Sequence, residues 1–171
     1  MRKEIKLGIV SPINSEAFPG AAGHFIEKVF GEIPRGYLPT IYIPISNIRE
    51  ESVLQSLEDI ESQEDRIRII NFGTPDKRGL AYAYLGGMKQ ALLDNAETIL
   101  EIDANGAHDP SAIREFLDII NRGYDAALST RFSNGGKSKY PTQRILISRL
   151  GTIAANLMLN LNGWVPDMTS G

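Results

Sequence analysis

Ile99-Leu100-Glu101-Ile102-Asp103-Ala104-Asn105-Gly106-Ala107-His108-Asp109-Pro110 is a short apolar run that ends in an acid and gives way to a polar loop and a new helix. In α/β proteins ligands bind at the carboxyl ends of strands, so an acid at such an end marks a candidate site. A carboxylate there, with an amide two residues on, suits a divalent metal and a phosphate. The plain alternative is a turn or helix-cap residue, and Asp109 before Pro110 is well placed for capping. A metal at this loop would prefer a second carboxylate, where the chain offers Asn105.

Working outward, the flanking segments alternate. Leu7 to Val10 reads as a short buried strand and runs into the turn-rich Ser11-Pro12-Ile13-Asn14-Ser15-Glu16. Ala22, Phe25, Ile26, Val29 and Phe30 fit one helical face, stopped by Pro34 and Gly36. Thr40 to Ile43 predicts a second strand with Pro44 at its end. Val53, Leu54, Leu57 and Ile60 predict a second helix, and 66–72 a third strand. A helix over 79–93 carries Leu80, Ala83, Tyr84, Met88, Ala91 and Leu92 on its core face, and Thr98 to Ile102 is the fourth strand. Beyond the opening stretch, Ile113, Phe116, Leu117 and Ile120 line another helix, Ala126 to Thr130 reads as a fifth strand, and 143–161 as a long apolar helix. Strands alternating with helices predict a single α/β domain with a mainly parallel central sheet flanked by helices. The last residues, 165–171, carry no cap or charged tail, which is the pattern of a fragment truncated at its C-terminus.

Composition narrows the function. The 171 residues carry a formal net charge of -3, which gives no argument for nucleic acid as a partner. The absence of cysteine removes disulfides, thiolate metal sites and cysteine nucleophiles. The N-terminus lacks an apolar signal core and no window spans a bilayer, so a cytoplasmic protein is expected, with peripheral membrane contact left open. There is no Rossmann glycine fingerprint, no P-loop and no nucleophile elbow. Gly86-Gly87-Met88-Lys89 falls inside a helical pattern, where small residues allow close packing. The two histidines, His24 and His108, lack metal-ligand spacing, and only His108 lies near the candidate loop. Arg131, Lys137, Lys139, Arg144 and Arg149 follow the fifth strand, as guanidinium groups for a diphosphate or as a solvated basic face.

Several motifs in order carry a resemblance. Gly79-Leu80-Ala81-Tyr82-Ala83-Tyr84-Leu85-Gly86-Gly87 is similar to the Gly-Leu-Gly-x-Ala-Tyr-x-x-Gly segment of family-2 glycosyltransferases, closest to the polyprenyl- and dolichyl-phosphate sugar (mannosyl) transferases. Ile102-Asp103-Ala104-Asn105 through His108 and Pro110 resembles their metal loop, Asp-Ala-Asp-Leu-x-His-x-Pro. Ser129-Thr130-Arg131-Phe132, Gly135-Gly136, Pro141, Arg144, Ser148-Arg149 and Asp167-Met168-Thr169-Ser170-Gly171 follow that group in order. The resemblance implies a GT-A-type nucleotide-diphospho-sugar transferase fold and transfer of a sugar to a lipid phosphate, with Mg or Mn bridging the donor diphosphate. It implies Asp103 as a catalytic metal ligand beside Asn105, with Arg131 and Arg144 contacting phosphates. Pro12 and Glu16 match the nucleotide-binding loop. Thr169 and Ser170 match the segment near the reacting phosphates, and Gly79 and His108 fall in the matched motifs as substrate-side residues.

The chain departs from the pattern in three places. Asn14 and Ser15 stand where the family has Tyr and Asn. After the second strand the family's acidic motif is absent, and Ser46 or Asn47 offers only neutral hydrogen bonds to substrate. Asn105 replaces the second metal aspartate, which lowers the expected metal affinity. Two expectations follow: a sugar transferase with altered donor recognition, or a catalytically degenerate relative that binds a nucleotide sugar, a lipid phosphate or a protein.

Overall fold

A computed structural model describes residues 4–13, 19–46, 48, 51–73, 79–104, 108–131, 141–159 and 164–167. The chain divides into two compact units, Met1–Glu115 and Phe116–Gly171. The first holds strands β1 (Ile5–Val10), β2 (Tyr37–Ile45), β3 (Ile67–Asn71) and β4 (Thr98–Glu101), with helices α1 (Pro19–Glu32), α2 (Glu51–Gln63) and α3 (Gly79–Leu93) between them. A 3-10 turn, Pro110–Ala112, leads into α4 (Ile113–Asn121), in which the boundary between the units falls. In the second unit α5 spans Thr142–Leu159.

The four strands form one sheet in the order β3-β2-β1-β4, and every neighbouring pair is parallel. The register pairs Ile9 with Ile41 and with Leu100, and Ile41 with Ile67. Parallel strands require crossovers and lie buried under the helices that make them, which is why these strands read as near-continuous apolar runs. Leu7, Ile9, Ile41 and Ile43 are almost wholly buried. Alternation sends Val10 and Tyr42 to the opposite face, where they pack with Ala91 of α3 and with Tyr84, Met88 and Ile99.

Glycines set how closely α3 approaches that face. A Cβ on Gly87 would lie 2.5 Å from Val10 Cγ1 and 2.9 Å from Pro44 Cγ, and one on Gly86 would run into the Phe72 ring. The packing expectation for this pair therefore holds. Pro44 does not end the second strand, because its carbonyl still accepts from the Ile13 N–H at 2.9 Å and the strand continues to Ile45.

One expected element is absent. Residues 126–130 form no strand. The run Ala126-Ala127-Leu128-Ser129-Thr130 has a single β-branched residue, and a strand is stabilised chiefly by its neighbours rather than by its own propensity. Leu128 is exposed.

Candidate functional site

All four strands are parallel, so their carboxyl ends share one edge of the sheet. The Ile102 N–H donates to the Val10 carbonyl at 3.1 Å and carries the β4 pairing one residue past the strand. Asp103 therefore leaves the sheet beside Ser11 and Pro12, which continue β1. The Ser46 N–H donates to the Ile13 carbonyl at 3.3 Å and brings the end of β2 to the same edge. Gly79 opens α3 there with φ of 81°, a left-handed conformation that favours glycine. Pro12, Ser46, Gly79, Asp103 and His108 thus all belong to the carboxyl-end edge of the first unit.

Asp103 is fixed at two points. The Tyr84 hydroxyl donates to its Oδ1 at 2.5 Å, and its own backbone N–H donates to Nδ1 of His108 at 3.0 Å. The second bond closes the loop over residues 103–108 and makes His108 Nδ1 an acceptor, so the neutral ring carries its proton on Nε2. His108 is therefore a loop clamp in this structure. Burial, and then the bond to Asp103, push the Tyr84 phenol well above its usual range, so it remains a hydroxyl donor at any physiological pH. Glu101, two residues back on the same face of β4, presents an exposed surface. Partial desolvation of its carboxyl, followed by repulsion from Asp103, raises it above the ordinary range, and His108 opposes the shift.

Among the described residues no hydrogen bond reaches Oδ2 of Asp103. A lone carboxylate oxygen is a hard donor of the kind Mg and Mn take, and Mg is often held by one or two carboxylates plus substrate phosphates. Among the described residues no group of three His, Cys, Asp or Glu side chains is arranged to hold a metal. The donor set here fits an ion that a diphosphate would complete. Asp109 does what its sequence position suggests: its Oδ1 accepts from the Ser111 N–H at 3.0 Å and caps the turn. That bond holds its carboxyl below the usual range.

The second unit has its own polar centre. Asp167, with its side chain wholly buried, accepts from the Arg131 backbone N–H at 3.1 Å and from Nε and Nη2 of the same residue at 2.9 Å each. Asn156 makes a two-bond clip with Val165, donating at 2.8 Å and accepting at 2.9 Å, and also donates to the Thr152 carbonyl. Arg131, expected at a phosphate, thus engages two guanidinium nitrogens with an internal carboxylate. Arg144 is exposed in the first turn of α5. Glu16, Asn47, Asn105, Lys137, Lys139, Thr169 and Ser170 lie outside the described residues.

Sequence reasoning missed Tyr84 and Asp167 as polar anchors. Tyr84 sat among apolar residues on the core face of its helix, and the available signal was that a buried tyrosine hydroxyl needs a partner. Asp167 lies in the matched Asp167-to-Gly171 segment, but nothing local in that segment points to its partner, 36 residues away.

Comparison with known proteins gives a consistent picture. The chain is 32% identical over 115 residues to an undecaprenyl-phosphate mannosyltransferase of Micrococcus luteus, covering 66% of this chain and 45% of that protein. It is 29% identical over 108 residues to a polyprenol monophosphomannose synthase of Mycolicibacterium smegmatis, covering 63% and 39%. A dolichol-phosphate mannosyltransferase of Pyrococcus furiosus is 24% identical over 147 residues, covering 85% and 41%. In each case the match spans less than half the length of the relative. No family model matches.

Proposed function

From the relationship of this chain to the family-2 polyprenyl-phosphate mannosyltransferases, whose GT-A-type α/β architecture its parallel sheet shares, we propose that it takes part in moving a sugar from a nucleotide-diphospho-sugar to a polyprenyl-phosphate-type acceptor with Mg or Mn. The observation that carries this reading is the placement of Asp103. It stands at the sheet edge where α/β proteins bind ligands, with its backbone and one carboxylate oxygen both tethered and the other oxygen without a partner among the described residues.

The chemistry needs little from the protein beyond position and charge. An oxygen of the acceptor phosphate, already anionic at neutral pH, forms the new bond to the anomeric carbon as the bond to the donor diphosphate breaks. The nucleoside diphosphate leaves, and no strong general base is required. A divalent ion, when bound, would supply charge stabilisation for that leaving group. Asp103 would hold the ion, and Asn105 would offer it an amide oxygen. Pro12 and Ser46 border the donor at the β1 and β2 ends, with Glu16 in the same loop as Pro12. Gly79 opens the helix behind them, and His108 keeps the Asp103 loop closed. Arg131, Arg144, Thr169 and Ser170 are the phosphate-side residues that the family resemblance implies.

No described helix is long and apolar enough to cross a membrane. A lipid-phosphate acceptor would be reached by peripheral contact at a cytoplasmic membrane surface. A second reading, a module that binds nucleotide sugar or lipid phosphate without transfer, is favoured by Asn105, a neutral amide where the family's metal loop has its second aspartate. Calorimetric titration of GDP and UDP with and without Mn separates them. Binding of either nucleotide that strengthens with Mn supports the transferase reading. Binding indifferent to Mn supports the module, and no binding in either condition overturns both.

A further inference from the structure

We propose that Tyr84 is a positioning residue for the metal-binding carboxylate, an inference that rests on the assignment of Asp103 to the metal. Tyr84 stands on α3, and the Oδ1 of Asp103 that it bonds lies 19 residues further along the chain. The bond crosses from the helix to the loop after β4, so it ties the reacting edge to the packed face of the sheet. The Tyr84 ring packs against the cluster of Val10, Tyr42 and Ala91, which fixes where its hydroxyl points. The close approach of α3 at Gly87, three residues on, sets the height of the ring over Val10. The phenol is therefore placed by the core and aims at one oxygen of one acid.

The consequence is directional. A free carboxylate rotates about its last bond and can offer a cation both oxygens. With Oδ1 tied to a hydroxyl donor, Asp103 is restrained about that bond, and Oδ2 has no hydrogen-bond partner among the described residues. Partners of this kind around metal ligands fix their orientation, and removing one typically costs about 10–100-fold in metal affinity. In a site that lacks the second aspartate, the angular order of the remaining carboxylate counts for more. Nearby Glu101 adds negative charge without that order.

The test uses the full chain with Tyr84→Phe and Asp103→Asn. Mn affinity is read by the paramagnetic signal of free Mn in the presence of GDP or UDP, whichever binds. Nucleotide affinity without metal and the unfolding midpoint are read in parallel. All binding is measured well below each variant's own midpoint, so a less stable variant is still read folded. Tyr84→Phe keeps the ring and should weaken Mn about tenfold while leaving metal-free nucleotide binding unchanged. A purely structural tyrosine would move the midpoint and not the Mn affinity, and that result overturns the proposal. If Asp103→Asn abolishes Mn binding and Tyr84→Phe does nothing, the metal assignment survives and the positioning role fails. If Asp103→Asn leaves Mn binding intact, the metal assignment itself is wrong and the role of Tyr84 falls with it.

Discussion

The described residues of the two units differ in what they bury: chiefly aliphatic side chains in the first, three polar ones along with Leu117 in the second. In the first, the sheet is sealed by aliphatic side chains: Leu7, Ile9, Ile41, Ile43, Leu57 and Ile67 are all almost fully buried. In the second, Thr152, Asn156 and Asp167 are buried while Leu146, Ile147, Leu150, Ile153, Leu157 and Met158 on α5 are exposed. Only one of the four buried polar residues described, Ser11, belongs to the first unit. Hydrophobic burial is non-directional and tolerant, whereas a buried carboxylate needs specific partners at specific angles. The first unit is thus held by apolar burial beneath Asp103, and the described part of the second by the polar contacts of Asn156 and Asp167.

The comparison breaks most sharply at Asp167. Removing one partner of a buried ion pair leaves the other charge uncompensated and costs about 3–5 kcal/mol. Asp167→Ala removes the acceptor shared by Nε, Nη2 and the backbone N–H of Arg131, whose side chain is 20% exposed. Amide exchange should show α5 losing protection by several orders of magnitude while β1 and β2 retain theirs. Uniform loss across both units would mean that the division of labour is wrong. Unchanged protection of α5 would mean that Asp167 is no anchor.

The first unit predicts sensitivity to volume instead of charge. Gly87→Ala places a methyl group against Val10 Cγ1 and the rigid Pro44 ring. Overpacking of that kind costs about 1–3 kcal/mol, against a helix-propensity gain of about 1 kcal/mol. The unfolding midpoint should fall. The same change at Gly23 in α1, where nothing lies within 4 Å of the added methyl, should raise it by the propensity gain alone, about 0.5–1 kcal/mol. Equal shifts at the two positions would show that α3 does not sit on the sheet as closely as described.

The same contrast explains what was legible in the sequence. The four strands and α3 were readable because the physics that forms them is local or periodic: buried parallel strands are apolar runs, and α3 repeats on one face from Gly79 to Leu93. Asp103 was readable as an acid at a strand end, and Asp109 as a cap before Pro110. The strand expected at 126–130 was not real, because an apolar run does not say whether a neighbour is there to pair with it. Tyr84 and Asp167 were not readable as anchors, since each owes its role to a partner 19 or 36 residues away. Polar anchoring is a statement about three-dimensional angles, and a one-dimensional pattern does not carry it. The second unit, which depends on such anchors, was accordingly the part read less well.

Ser11 is the exception that sharpens the comparison with the smallest effect. It ends β1 beside the candidate site, its backbone N–H donates to the Tyr42 carbonyl at 2.9 Å, and its Oγ is buried with no hydrogen-bond partner among the described residues. An unsatisfied buried polar group costs about 1–3 kcal/mol, and an apolar replacement of similar shape recovers part of that. Ser11→Ala removes the hydroxyl, keeps the Cβ and leaves the backbone bond intact. If the first unit is stabilised by apolar burial throughout, the variant should gain about 0.5–1 kcal/mol, read as a higher midpoint in thermal unfolding without nucleotide. A loss of stability would show that the hydroxyl has a partner in solution and that the edge of the sheet is more polar than its interior.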